Sequence, residues 1–214
     1  MRVNGAIVRE MGTTVDPERD VVEVDGQRVS MTLPVWLALH KPPGYITTRR
    51  DPGGRATIYD LLPEEHHGLF YVGRLDYESE GLVLLTNQGD LANRLAHPRY
   101  EVERVYEVVI EGRPDAEVEK RLRFGVHLDD GVARVARLDK LGREPGHATK
   151  LRVVMLEGRK REVRRLFDAV GHPVRRLLRV AFGPIRMGDL KPGEWRKLSV
   201  AEVDALADVA SEES

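Results

Sequence analysis

The tetrapeptide Gly73-Arg74-Leu75-Asp76 stands between two apolar runs, Phe70-Tyr71-Val72 and Leu82-Val83-Leu84-Leu85-Thr86. A glycine permits a sharp turn and the close approach of a ligand. An arginine two residues before an aspartate keeps that carboxylate ionised in a partly dry site. An ionised carboxylate in a pocket works as a nucleophile or a base. Alone, the pair is a weak sign, because an Arg–Asp pair in a loop is usually a surface ion pair worth little.

A second segment, Glu157-Gly158-Arg159-Lys160-Arg161-Glu162-Val163-Arg164-Arg165-Leu166-Phe167, reads as a strand that enters a glycine turn and leaves as a helix. Its cations crowd the expected helix N-terminus, where the macrodipole favours acids. Cations there are costly unless an anion joins them, and backbone N–H groups together with arginines make a phosphate site. A solvated basic face is the plainer alternative. The net charge of −1 conceals the asymmetry: ten Lys/Arg against three Asp/Glu between Lys150 and Arg179, and five acids with no cation from Ser199 onward. Arginine supplies 27 of the 34 basic residues, which suits phosphate and base stacking but is equally compatible with genomic codon bias.

Other chemistries find little support. Asp76, Glu78 and Glu80 alternate and on a strand would share a face, so with Asp90 they could suggest a magnesium site; solvent-facing acids are the commoner outcome. The seven histidines show no metal spacing, and the adjacent His66-His67 would converge poorly on one ion. Ser79 has no G-x-S-x-G setting, and neither a P-loop nor a dinucleotide fingerprint occurs. With no cysteine, disulfides, thiolate sites and Cys nucleophiles are excluded. No apolar run approaches the roughly 20 residues of a membrane helix, and the N-terminus has no signal-peptide core, so a cytoplasmic location is expected.

The elements that must position these residues can be read from pattern and punctuation. Arg2 to Val8 around Asn4-Gly5, and Asp20 to Val29 around Asp25-Gly26, read as short hairpins too small to hold a core. A boundary is expected over Ser30–Pro34, giving residues 1–32 and 33–214 as domains. Strands are expected at Val35–Leu39, Phe70–Val72, Leu82–Thr86, Val105–Ile110, Val132–Leu138 and Leu151–Leu156. Lys41-Pro42-Pro43-Gly44 is a rigid loop and Arg49 to Arg55 a polar one. Helices are expected to begin at Thr57 with Asp60 as its capping box, from Asp90 to Ala96, and between Asp115 and Gly125. Another is expected from Arg161 to Val170, closed by Gly171, and a last one capped by Ser199 and Glu202. Val163, Leu166, Phe167 and Val170 fall at i, i+3, i+4 and i+7, one buried face. Strands outnumber helices without regular alternation, which argues for an α+β fold with a mixed, largely antiparallel sheet and a few flanking helices.

Taken together, these segments resemble the pseudouridine synthases. Gly73-Arg74-Leu75-Asp76 followed by Glu80-Gly81-Leu82-Val83-Leu84-Leu85-Thr86-Asn87 looks like that family's catalytic motif, in the form of the RsuA/RluB/RluE/RluF group. Lys41-Pro42-Pro43-Gly44 resembles its first motif and the basic segment from Glu157 to Phe167 its third. Asp90 to Pro98, with Glu101-Val102-Glu103-Arg104-Val105-Tyr106, looks closest to the RluB branch. The resemblance runs from about Leu33 to Leu198. The first thirty residues resemble the C-terminal half of the family's small N-terminal RNA-binding module, the alpha-L type, which in the family opens with two helices that this chain does not contain.

The resemblance implies isomerisation of a specific uridine in ribosomal RNA, most of all large-subunit RNA. The C1′–N1 bond breaks, the uracil turns, and C5 bonds to C1′, with no metal, nucleotide or redox cofactor. By position, Asp76 matches the catalytic aspartate, which attacks the sugar or removes a ribose proton. Arg74 matches the arginine that helps the RNA strand open, Tyr106 the tyrosine that packs on the target base, and Arg164 the basic residue expected to pair with the aspartate. Arg159, Lys160, Arg161, Arg165, Arg175, Arg176, Arg49, Arg50 and Arg94 are the cations expected to hold the displaced backbone. Ribosomal RNA or a ribosomal-subunit precursor is the expected partner, and a monomer the expected state. Two rivals remain: a non-catalytic RNA-binding ribosome-assembly protein that does not need Asp76, and a magnesium-dependent nuclease built on the acidic loop.

Overall fold

The structure, a computed structural model, describes residues 1–10, 12–16, 19–29 and 33–211. Residues 30–32 of the expected boundary and residues 212–214 of the acidic end lie outside the described residues. The chain divides into two compact units, Met1–Pro34 and Val35–Ser214.

The first unit is an antiparallel sheet of β1 (Arg2–Val3), β2 (Ala6–Ile7), β3 (Val22–Val24) and β4 (Gln27–Val29), in the order β2-β1-β3-β4. Asn4, Gly5, Asp25 and Gly26 all have positive φ, the two-residue turn conformation that Asn-Gly and Asp-Gly favour. Asn4 also ties the sheet together, donating to the Asp20 carboxylate and accepting from the Val21 N–H, both at 2.8 Å. None of the unit's described side chains is buried.

The second unit is built on a nine-stranded sheet. Its strands are β5 (Trp36–Lys41), β6 (Phe70–Val72), β7 (Glu80–Thr86), β8 (Arg104–Glu111), β11 (Arg137–Glu144), β12 (Ala148–Met155), β13 (Val174–Phe182), β14 (Ile185–Arg186) and β15 (Trp195–Lys197). The order is β11-β12-β8-β13-β7-β5-β15, with β6 on β7 and β14 on β13. Only β7 and β13 run parallel among the described pairs. The helices are α1 (Gly89–Ala96), α2 (Ala116–Phe124), α3 (Glu162–Asp168) and α4 (Val200–Val209). This is the α+β arrangement that the pattern of elements implies.

Both faces of the central strands are covered, which is why β7 reads as an unbroken apolar run. Leu37, Leu39, Val83 and Leu85 join one core with Val108, Ile110, Leu166 and Phe167. Trp36, Ala38, Leu82 and Leu84 point the other way, into a core with Leu91 and Leu95 of α1 and Leu206 of α4. Strand periodicity thus divides one sequence between two cores.

Three expectations need correction. Val132–Leu138 is not one strand. β10 (Gly131–Ala133) pairs with β9 (Val126–Leu128) in a separate hairpin, and the chain joins the large sheet only at Arg137. Between them Val135 turns into the core, its N–H donating to Leu122 O at 2.9 Å. The helix expected from Thr57 is a single 3₁₀ turn, Ile58–Leu61, with the Asp60 carboxylate accepting from the Thr57 N–H at 2.6 Å. Finally β13, nine residues long and flanked by β7 and β8, lies where no element was expected.

Candidate active site

The loop from Gly73 to Ser79 connects β6 to β7 and is held from several sides. Gly73 takes φ +67. Leu75 is buried, and its N–H and carbonyl both engage the Thr47 hydroxyl, at 3.2 and 3.0 Å. Beyond it the Ser79 N–H donates to Asp76 O at 3.0 Å, closing a tight turn. The Lys-Pro-Pro-Gly segment clamps the far side. The Gly44 N–H donates to Tyr77 O at 2.9 Å, with Gly44 at φ +85. Lys41 is wholly buried and donates to Ser79 O at 2.6 Å, Pro42 O at 3.0 Å and Tyr77 O at 3.5 Å. Burial lowers the Lys41 ammonium to about 8, against the opposing attraction of Asp76. A buried cation therefore stands directly behind the loop that presents Asp76.

Asp76 is half-buried in the wall of a cleft of about 490 Å³, and its carboxylate has no hydrogen bond or ion pair among the described residues. Arg74, exposed and likewise unpaired among the described residues, lines the same cleft. The sheet supplies the floor: in register across β7, β13 and β8 lie Gly81, Arg179 and Tyr106. Tyr106 is 7% exposed and Arg179 is 2% exposed, and both line the cleft. Arg179 Nε donates to Leu82 O at 2.7 Å, while its Nη2 is buried with no hydrogen-bond partner. Arg104 lies beside them, donating to Val102 O and Leu156 O, both at 2.9 Å. Desolvation lowers the Arg104 proton affinity, with Tyr106 opposing.

Arg164 is brought to the back of this loop. It is buried and donates to Val174 O at 3.2 Å and Glu78 O at 3.4 Å, with Nε 3.9 Å from the Glu78 carboxylate. Desolvation lowers its proton affinity, with Glu78 and then Asp76 among the opposing groups. Its hydrogen bonds thus go to carbonyl oxygens, and its carboxylate neighbour within 4 Å is Glu78.

The other expected cations divide into two groups. Arg159 is spent on Glu157 at 3.1 Å, Glu162 at 2.8 Å and Asp130 at 3.4 Å. Arg161 pairs with Glu78 at 3.1 Å, Arg165 holds Asp130 bidentately at 2.7 and 2.9 Å, Arg175 pairs with Glu111 at 3.3 Å, and Arg176 pairs with Glu80. Arg49 donates to the carbonyls of His67, Gly68 and Leu69. Lys160, Arg50 and Arg94 are exposed and carry no side-chain hydrogen bond or ion pair among the described residues.

This corrects the dipole argument for the basic helix start. Glu162 is buried in the first turn of α3 and accepts from the backbone and side chain of Arg159. Asp130 and Glu78, distant in sequence, neutralise Arg165 and Arg161. Arg161 itself sits at φ +51 and makes no side-chain cap. The acids alternate in sequence but diverge in space, Glu78 to Arg161 and Glu80 to Arg176, and the described residues contain no group of three His, Cys, Asp or Glu placed to share a metal ion.

Sequence reasoning missed Lys41 as a cage for the loop and Arg104 and Arg179 as cleft residues. The signal for Arg179 was present: an arginine inside Leu177-Leu178-Arg179-Val180-Ala181-Phe182 occupies an apolar strand, and a buried arginine needs a special reason.

Comparison with known proteins gives a consistent likeness. A family model described as RNA pseudouridylate synthase matches residues 35–169. An uncharacterised RNA pseudouridine synthase of Aquifex aeolicus is 44% identical over 207 residues, 96% of this chain and 83% of that protein. The ribosomal large subunit pseudouridine synthase B of Bacillus subtilis is 36% identical over 211 residues, 98% of this chain and 86% of that one. A crystal structure of a pseudouridylate synthase superposes with a TM-score of 0.72 at 25% identity, over 96% of this chain and 87% of its own.

Proposed function

This chain belongs to the RNA pseudouridylate synthase family, and from that premise we propose that it isomerises a uridine of large-subunit ribosomal RNA to pseudouridine, with Asp76 as the catalytic carboxylate. The observation that carries the reading is the state of Asp76: a half-buried carboxylate, unpaired among the described residues, in a cleft floored by Tyr106 and walled by arginines. In the reaction C1′–N1 breaks and C5–C1′ forms. C5 gives up a proton and N1 takes one, so nothing is oxidised or reduced. Asp76 acts on the ribose, as nucleophile or as base. Tyr106 packs on the base, and Arg74 at the open side helps to part the RNA. Arg164 serves by holding the loop at Glu78. Lys160, Arg50 and Arg94, without side-chain partners among the described residues, are cations available for phosphate. In this reading the N-terminal unit belongs to an RNA-binding module, and the protein works in the cytoplasm as a monomer on ribosomal RNA or a ribosomal-subunit precursor.

The test is incubation with unmodified large-subunit RNA, followed by mapping of pseudouridine. Wild type gives product at one site, in excess EDTA as well, apart from any effect of metal on RNA folding. Asp76→Asn lowers the rate by roughly 10³-fold or more while folding and RNA binding persist. Substantial product from pure Asp76→Asn refutes the assignment. RNA bound but never modified would indicate an assembly protein, and magnesium-dependent cleavage a nuclease.

A further inference from the structure

A second cleft, of about 450 Å³, adjoins the first: Ala96, at the end of α1, lines both. Its walls include Arg49, Tyr59, Phe70 and Asn93. Phe70 is 51% exposed, an unusual state for a large aromatic residue on a sheet strand. Arg49 was expected to be a phosphate-binding cation, but its geometry suits another task. Its guanidinium lies 5.4 Å from the Phe70 ring centre and 5.6 Å from that of Tyr59. Its Nη atoms donate to His67 O at 3.1 Å, Gly68 O at 2.9 Å and Leu69 O at 3.1 Å. Tyr59 is fixed in turn by its hydroxyl, which donates to Leu69 O at 2.7 Å. The result is a rigid aromatic and cationic surface whose donors are already engaged.

We propose that this surface is a second base-binding subsite, which takes an unpaired nucleobase of the substrate RNA close to the target uridine. The proposal rests on the reading of the first cleft as the uridine site. The base stacks on the exposed part of the Phe70 ring, with the Asn93 amide at its polar edge. Arg50 and Arg94, chain neighbours of Arg49 and Asn93 and both free of side-chain partners among the described residues, neutralise the adjoining phosphates. Three observations point to RNA as the occupant. The cleft shares the wall residue Ala96 with the cleft read as the site of the target nucleotide. Extracting one base from a stack leaves its neighbours unstacked, and these need a new surface. An exposed aromatic ring beside a guanidinium is the combination that binds single-stranded bases, each of which has a π-face.

The experiment has two arms on one RNA, an in vitro transcript of large-subunit ribosomal RNA. In the first, the Asp76→Asn protein is irradiated in complex with the transcript, and nucleotide adducts are mapped by mass spectrometry; an adduct on Phe70 is expected, besides any in the first cleft. In the second, Phe70→Ala is expected to raise the dissociation constant roughly ten-fold, with turnover at saturating RNA within about two-fold and an unchanged salt slope. Phe70→Trp restores affinity, and Arg50→Ala lowers the salt slope by about one. An unchanged melting temperature shows that Phe70→Ala folds, and the crosslink needs no substitution at Phe70. Adducts confined to the first cleft, with Phe70→Ala binding as wild type does, overturn the subsite and leave the surface to a protein partner. Wild-type pseudouridine formation is the control: its absence refutes the proposed function, whereas its presence with no effect at Phe70 refutes only the subsite.

Discussion

Arg161, Arg164 and Arg165 are close neighbours in sequence yet occupy three environments. Arg161 is exposed and pairs with an exposed Glu78, Arg165 grips Asp130, and Arg164 is buried against the carbonyl of Glu78, two residues past Asp76. Arg164→Ala should therefore misplace the loop and lower turnover at saturating RNA by roughly 10²-fold, the usual cost of a small displacement of a reacting group. Arg161→Ala and Arg165→Ala, whose charges are already paired, should hold turnover within about three-fold and shift RNA affinity only slightly. Equal, small effects at all three positions would place Arg164 on the binding surface instead. Lys41 permits a pH test. Its ammonium is lowered from 10.5 to about 8 by burial, so the folded chain binds this proton less tightly than the unfolded chain. Its contribution to stability is accordingly least favourable below pH 8, rises between pH 8 and 10.5, and is level above. Denaturation midpoints of wild type and Lys41→Met, compared across that window, should diverge in favour of wild type as pH rises. A difference that stays constant with pH would show that Lys41 keeps its ordinary proton affinity.

Among the elements, the parallel pair β7–β13 has most influence on the site. It places Arg179 in register with Gly81 and delivers the loop carrying Asp76 to the mouth of the cleft. The pairing depends on a missing side chain. Gly81 has φ +114, and a Cβ there would fall 2.6 Å from the Arg179 backbone nitrogen. Gly81→Ala should force the two strands apart, destabilise the fold by about 3 kcal/mol or more, and abolish pseudouridine formation. Thermal melting and product mapping read the two effects together. A variant that melts as wild type does would show that the strands can separate without cost. The same strand also separates the members of the basic block. Arg175, Arg176 and Arg179 look like one cationic patch in sequence, but along β13 they meet Glu111, Glu80 and the backbone of Leu82 respectively.

For the whole molecule, every buried described residue falls between Trp36 and Ala210. None of the described residues of the N-terminal unit is buried, and a chain starting at Val35 should fold with a melting temperature within a few degrees of the full chain. If that unit is an RNA-binding module, the shortened protein should retain turnover at saturating RNA while its dissociation constant rises about ten-fold and its salt slope falls. Loss of the fold on removal of residues 1–34 would show that the two units depend on each other for stability. Unchanged affinity would deny the first unit a part in RNA binding.

The sequence by itself determined the local features. Short apolar runs defined β5, β7 and β8. Asn-Gly and Asp-Gly defined the turns of the first unit, and Ser199 with Glu202 the start of α4, where the carboxylate accepts from the Ser199 N–H at 2.9 Å. The family motif from Gly73 to Asp76 was legible because its signal lies within a few consecutive residues. What only the tertiary structure decided was pairing at a distance. Glu78, Asp130 and Glu162 settle which arginines are already neutralised. The carbonyls of Pro42, Tyr77 and Ser79 make Lys41 a support for the loop. Ala96 lines two clefts whose walls come from separate parts of the chain. Periodicity and capping depend on residues a few positions apart, whereas the partner of a charge depends on which strands become neighbours, and that is fixed only when the sheet assembles.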